Sequence, residues 1–221
     1  MTRLCIGIPT INCADLLLVC LRGLQDLASA ENLEWWMVIV DNGHQKLEYP
    51  ATLNPRITTL INNENKGVAG SWNQICRLGF GAGADNVMLL NDDVVYTPVP
   101  EALIALCLEN PGITTAEGGH QGGFQNALIS RRAWETIGPF DEIFFPAYFE
   151  DCDYGYRANL LDIPMESSPD LAVEKQGGNS NSRRRDPSLN RGLTLGAVYQ
   201  KKWGGEPHKE IFTEPYNGEA K

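Results

Sequence analysis

Short unbroken apolar runs alternate along this chain with stretches in which apolar residues recur every three or four positions. The run Leu4 to Pro9 is closed by Pro and Thr, the pattern of a buried strand opening into a loop. Leu16, Leu17, Cys20, Leu24 and Leu27 then fall on one face at helical spacing, predicting a helix capped by Asp15 and reaching about Ala28. Further buried strands are expected at Trp35 to Gly43, Ile57 to Asn62 and Asn86 to Asn91, with a helix entered from the polar loop NENKGVAG between the last two. Strands separated by helices imply a mainly parallel sheet, whose ligands gather at the carboxyl ends of the strands. Those ends are all polar: Thr10 and Asn12, Asp41 and Asn42, Asn62 and Asn63, Asn91 to Asp93.

The second half has a different texture. Helical periodicity returns over Pro100 to Asn110, and the glycine-rich EGGHQGGFQNALIS leads into a strand and a short helix from Arg131. An aromatic-rich loop then enters a helix from about Phe149 to Leu161, and beyond Ser168 the chain reads as polar loop. Disorder is expected in the last residues unless Trp203 anchors them.

Composition narrows the function. A chain of 221 residues with 43% hydrophobic content can bury one sizeable core. Its net charge of -10 argues against a nucleic-acid groove, so an anionic ligand would need a metal or a local cluster of Lys and Arg. Six scattered cysteines without a CxxC read as reduced core thiols of a cytosolic protein. No run approaches the roughly 18 apolar residues of a membrane span, and the first strand is too short for a signal peptide.

Two acidic clusters carry the candidate chemistry. Asp92 and Asp93 follow the best core strand and repel one another, a situation a divalent cation relieves, although a turn or cap would also use these residue types. Glu150, Asp151 and Asp153 sit at a helix start, where the dipole alone favours acids and where a base beside a pocket could accept a proton from a hydroxyl. Tyr148, Phe149, Tyr154 and Tyr156 could form a sugar-binding wall, or ordinary core.

In order, IGIPTIN, VIVDNG, NENKGVAGSWNQ, LLNDDV and GPFDEIFFPAYFEDCDYGYR resemble the family 2 glycosyltransferases with the GT-A fold, especially bacterial and viral rhamnosyl- and galactosyltransferase-like members, over about residues 4–182. The YQKKWGG tail is similar to one in some relatives. The resemblance implies an α/β GT-A nucleotide-diphospho-sugar transferase fold with a mixed, mainly parallel central sheet flanked by helices. It divides one domain, 1–221, into a nucleotide-sugar-binding half (about 1–95), an acceptor-binding and catalytic half (about 96–182) and a loop and tail (about 183–221).

It further implies an inverting transfer from a UDP- or dTDP-type donor to a hydroxyl of a glycan or lipid-linked glycan, with Mn2+ or Mg2+, in cytoplasmic polysaccharide biosynthesis or at a membrane surface. Carried over by position, Pro9, Thr10, Asn12, Asp41 and Asn42 line the nucleotide pocket, and Asp41 bonds the pyrimidine base. Asn65, Lys66 and Gly67 form the loop under the ribose and phosphates, followed by a helix presenting unpaired N–H groups to an anion; Asn73 lies one turn further on and Trp72 packs. Asn91, Asp92 and Asp93 stand at the metal motif, with Asp93 the main ligand and Asp92 its partner. Asp151 is the base, expected across one sugar-sized cavity from Asp93, with Glu150 and His120 as acceptor contacts. The chain departs from the family at Lys175, which replaces a metal-ligating His and would touch the diphosphate instead, weakening metal dependence. Arg183, Arg184 and Arg185 sit in a Gly/Asn/Ser-rich loop that would either close over the donor and add positive charge or stay a solvated basic loop. The alternatives are a catalytically impaired sugar-binding relative or a sugar-nucleotide pyrophosphorylase, whose glycine-rich basic loop PTINCADLL lacks.

Overall fold

The computed structural model describes residues 1–116, 124–176 and 194–219. Strands β1 (Thr2–Thr10), β2 (Leu33–Asp41), β3 (Ile57–Ile61) and β4 (Asn86–Leu90) are mutually parallel where they pair. After the short β5 (Val94–Val95), the sheet continues through β6 (Ile113–Ala116), β7 (Asn126–Ser130) and β8 (Met165–Ser168). The seven-stranded order is β3-β2-β1-β4-β7-β6-β8, with β7 antiparallel to both β4 and β6, and β8 parallel to β6. A separate ribbon pairs β5 with β9 (Glu174–Lys175) in antiparallel fashion. One sheet therefore runs through both halves of the chain.

Six helices are described: α1 (Ala14–Gly23), α2 (Gly67–Gly81), α3 (Pro100–Glu109), α4 (Arg131–Ile137), α5 (Glu150–Leu160) and α6 (Gly196–Trp203). Because side chains alternate across a strand, Leu4, Ile6 and Ile8 of β1 join α1 and α3 in one core. Cys5 points the other way, into a second core with α2, α4 and α5. Burial on both faces explains the unbroken apolar runs. A Cβ on Gly7 would lie 2.0 Å from Ile75 Cγ2, so α2 sits directly on the central strand. A third, smaller cluster joins Phe144 to Tyr199 and Trp203 of α6. The tail folds back on Trp203, whose carbonyl accepts from the Ile211 and Phe212 amides, so Trp203 is the expected anchor.

Several local expectations change. The N-cap of α1 is Cys13, with no side-chain cap bond; Asp15 lies within the first turn, where its charge still faces the dipole. That helix stops at Gly23 and passes into a 3-10 segment, Gln25–Ser29. Strands β6 and β8 add to the expected sheet and β9 to the separate ribbon, and the mostly exposed MESS of the edge strand β8 pairs through its backbone without an apolar run to announce it. Five cysteines are buried and Cys152 is half-buried. Among the described residues, no helix is long and apolar enough to cross a membrane.

Candidate active site

At the carboxyl ends of β1 and β2 the ladder runs on past the strands, Asn42 N to Thr10 O at 2.9 Å and Asn62 N to Asp41 O at 2.9 Å. Asp41 is fully buried, yet its carboxylate accepts from Gly43 N at 2.8 Å, Gln45 N at 2.8 Å and Gln45 Nε2 at 3.0 Å. Asn42 is a hub: it donates to Ser71 Oγ at 2.8 Å and accepts from Asn62 Nδ2 at 2.9 Å and Lys66 N at 3.1 Å. Asn12 abuts Gly43, since a Cβ there would lie 3.0 Å from Asn12 N, and it takes a left-handed backbone that Asn tolerates. Thr10 is buried and Pro9 half-buried on the strand between these loops.

The start of α2 differs from expectation. Lys66 N is committed to Asn42, Gly67 N to Asn65 Oδ1 at 2.8 Å, and Val68 N to Pro146 O at 2.8 Å. These N–H groups fix the loop; they do not await an anion. Lys66 Nζ pairs with Glu64 at the surface. Gly67 has φ +70, and a Cβ would lie 2.7 Å from Pro146 O, so only glycine permits this approach of the 145–149 loop. Asn73 donates to Phe140 O at 3.0 Å and Glu142 Oε1 at 2.8 Å and accepts from Phe140 N at 2.8 Å. It lines a cleft of about 390 Å³ with Arg77, Phe140, Glu142, Arg157 and Lys202, apart from the other expected donor contacts. Trp72 packs on Phe124 and Phe140, as expected.

Beyond β4, Asn91 N bonds Gln125 O at 3.0 Å, Asp92 is buried and Asp93 half-buried. Burial, reinforced by the charges of Asp92 and Asp93, holds the Cys20 thiol far above its ordinary range. Gln176 clamps the turn, donating from N to Asp93 O at 2.9 Å and from Nε2 to Val94 O and Leu16 O, each at 3.0 Å. Val94 pairs with Lys175, which brings that exposed residue alongside the acidic turn. No three His, Cys, Asp or Glu side chains form a metal cage among the described residues. Two adjacent carboxylates at a strand end nevertheless suit Mn2+ or Mg2+, the latter taking most ligands from water and phosphate.

The approach to α5 is strained. Tyr148 and Phe149 are consecutive non-glycine residues at φ 80 and 74, each conformation unfavourable by roughly 1–3 kcal/mol. Glu150 follows, buried with Oε2 unpartnered, and burial, then the Asp151 charge, pushes its carboxyl well above the ordinary range. Burial likewise raises Asp151 to about 6, opposed by bonds from Cys152, whose amide lies 2.8 Å from Oδ1. Asp151 therefore holds a proton better than an ordinary aspartate.

Three of the four wall candidates are packing, Phe149 among them against Tyr199. Tyr154 is fully buried, stacked 4.0 Å from Phe140, and Tyr156 donates to Phe212 O at 2.9 Å. The exposed aromatic here is Phe145, 47% accessible beside Gly67, which the sequence pattern did not single out. Asp153, expected either as a helix-start acid or as a base beside a pocket, is instead fully buried and binds Arg157, Lys202 and Trp203. His120, Arg183, Arg184 and Arg185 lie outside the described residues.

Residues 5–150 match the family model for Glycosyl transferase family 2. No curated protein sequence matches the chain. Among solved structures, a mannosyltransferase from Pyrobaculum calidifontis in complex with GDP-Man and Mn2+ aligns at TM-score 0.58 and 15% identity, over 89% of this chain and 64% of that one. A Drosophila β1,4-galactosyltransferase 7 mutant with manganese, UDP-Gal and xylobiose aligns at 0.56 and 10% identity, over 84% and 75%. S. aureus TarS, residues 1–349, aligns at 0.57 and 12%, over 92% and 74%. At these identities the likeness is one of fold, and this chain spans less than two thirds of the mannosyltransferase's length.

Proposed function

Because the chain belongs to glycosyl transferase family 2, we propose that it moves a sugar from a uridine or thymidine diphosphate donor to a hydroxyl of a saccharide acceptor, with inversion at the anomeric carbon. The observation that carries this reading is Asp151: a carboxylate at the first turn of α5, raised to about 6, on a loop bonded to the start of α2 through Val68 N and Pro146 O. That contact supports setting the base beside the rim where β1, β2 and β4 end; a cavity shared with Asp93 is part of the proposal.

In this reading Asp151 accepts the acceptor's proton as its oxygen bonds the anomeric carbon, and the bond to the diphosphate breaks with its electron pair leaving on the diphosphate. No covalent intermediate with the protein is required. Asp93, with Asp92, would hold Mn2+ or Mg2+, which when bound stabilises charge on the leaving diphosphate. Lys175 adds a cation on the same side, supported by its pairing beside the acidic turn. The neighbours' GDP-Man and UDP-Gal differ in base, so the pyrimidine assignment rests on Asp41 at the end of β2. Its carboxylate accepts three bonds, which leaves one of about four acceptor sites for a base N–H.

A panel of nucleotide sugars, assayed for transfer and hydrolysis with and without Mn2+, tests the proposal. Asp151→Asn should lower transfer by about 10²–10⁴-fold, the usual contribution of a general base, and leave nucleotide affinity unchanged. Unaltered turnover would remove Asp151 from its role.

A further inference from the structure

We propose that α6 belongs to the catalytic apparatus: Tyr199 and Lys202 are positioning residues that hold the Tyr148–Phe149 turn, and through it Asp151, in place. This rests on the reading of Asp151 as the base. The family match ends at residue 150, before Asp153, Tyr199 or Lys202.

A left-handed pair of bulky residues persists only where surrounding packing over-determines it. Here α6 supplies that packing. The Tyr199 ring lies 5.8 Å from the Phe149 ring and 6.2 Å from Phe144, and α6 begins at Gly196 against the edge of Phe149. One turn later in α6, Lys202 is almost wholly buried and bridges Asp153 of α5 to Asp141 of the preceding loop, the latter at 2.8 Å. Asp153 also accepts from Trp203 Nε1 at 2.9 Å and Arg157 Nε at 3.0 Å, so two cations balance two carboxylates. The Asp153 amide donates to Phe149 O at 2.9 Å, which links this cluster to the strained residue. The helix is itself tied down: Tyr199 donates to Glu210, and Tyr156 of α5 donates to Phe212 O. Asp151 therefore sits between a turn clamped by Tyr199 and a carboxylate clamped by Lys202.

Cys152 offers a readout independent of any substrate. It adjoins Asp151 and is half-buried, whereas Cys5 and Cys76 are buried in the core. Alkylation by iodoacetamide, resolved by mass spectrometry below the melting transition, reports local opening at Cys152 and global opening at the other two. In Lys202→Met and Tyr199→Leu, Cys152 labelling should rise about tenfold, as expected for local rather than global opening. Turnover of whichever donor the parent protein uses should fall by tenfold or more. Affinity for UDP or dTDP should hold, and Tyr199→Phe, which keeps the ring but loses the bond to Glu210, should recover most of the turnover lost in Tyr199→Leu.

Parental Cys152 labelling and turnover in both variants would overturn the proposal, as would equal labelling of Cys5 and Cys76, which marks plain unfolding. If Lys202→Met does not fold, Tyr199→Leu decides by the same readouts. Failure of Asp151→Asn to impair transfer sinks the base assignment separately, because Cys152 labelling still measures the clamp.

Discussion

At the ends of β1 to β3, Asp41 and Asn42 are buried with three side-chain hydrogen bonds each, and the backbone nearby turns left-handed at Gly67, Asn12 and His44, residue types that tolerate that conformation better than bulky aromatics. At the start of α5, Tyr148 and Phe149 take that conformation without glycine or asparagine, Glu150 leaves a carboxyl oxygen unpartnered, and an ion cluster from a helix about fifty residues later sits alongside. The first region is the more relaxed and the better satisfied, although Gln45 Oε1 is buried without a partner, and it suits presenting a fixed surface. In the second, strain and desolvation are held by distant packing, and desolvation raises the proton affinity of Asp151. Recognition and chemistry are thus prepared by different physics within one sheet.

The comparison breaks if the ion cluster is dispensable. Asp153→Ala should lower stability by about 3–5 kcal/mol, since Lys202 and Arg157 would lose a buried counter-charge; a thermal unfolding shift worth less than 1 kcal/mol would show that the α5 region stands without it. Asp93→Ala should weaken Mn2+-assisted nucleotide binding by at least about 10–100-fold, the range for disturbing even the support of a metal ligand. Titration of UDP or dTDP with and without Mn2+ checks this, and a metal-independent loss would transfer the role to another group. Asn42→Ala should lose about 1–3 kcal/mol by leaving its partners unsatisfied. Unlike the α5 variants, it should leave iodoacetamide labelling of Cys152 unchanged.

The relaxed region was legible in the sequence because parallel strands buried on both faces write unbroken apolar runs, and their polar ends mark one rim. Even there, the use of the Lys66, Gly67 and Val68 amides was invisible, since they are taken by Asn42, Asn65 and, from the other half of the chain, Pro146. The strained region was legible only as letters. An acid in a helix's first turn fits dipole chemistry whether or not it is buried, and only contact with Lys202 makes Asp153 an anchor. Aromatic residues carry the same ambiguity: Tyr154 went to the core and Phe145 to the surface, a choice made by packing between elements rather than by local pattern. The short β6 and the edge strand β8 pair mainly through backbone at Thr- and Ser-containing stretches, so periodicity had little to detect.

The smallest expected effect separates strain from desolvation at α5. Glu150 has its folded-state pKa raised above the unfolded value, chiefly by burial, and Asp151 shifts the same way to about 6. Below about pH 3 both groups are largely protonated in folded and unfolded chains alike, and their contribution to stability is fully present. As pH rises, the unfolded chain releases these protons first while the folded chain keeps them, so stability falls until each folded pKa is passed. Glu150→Gln mimics the protonated form and removes its share of that loss. It should match the parent near pH 4 and exceed it at neutral pH by on the order of 1 kcal/mol, the scale for a buried polar group without a partner. Chemical denaturation across pH 4–8 measures the difference. A parallel offset at every pH would mean that packing, not protonation, distinguishes the two chains, and would leave backbone strain as the main liability of this turn.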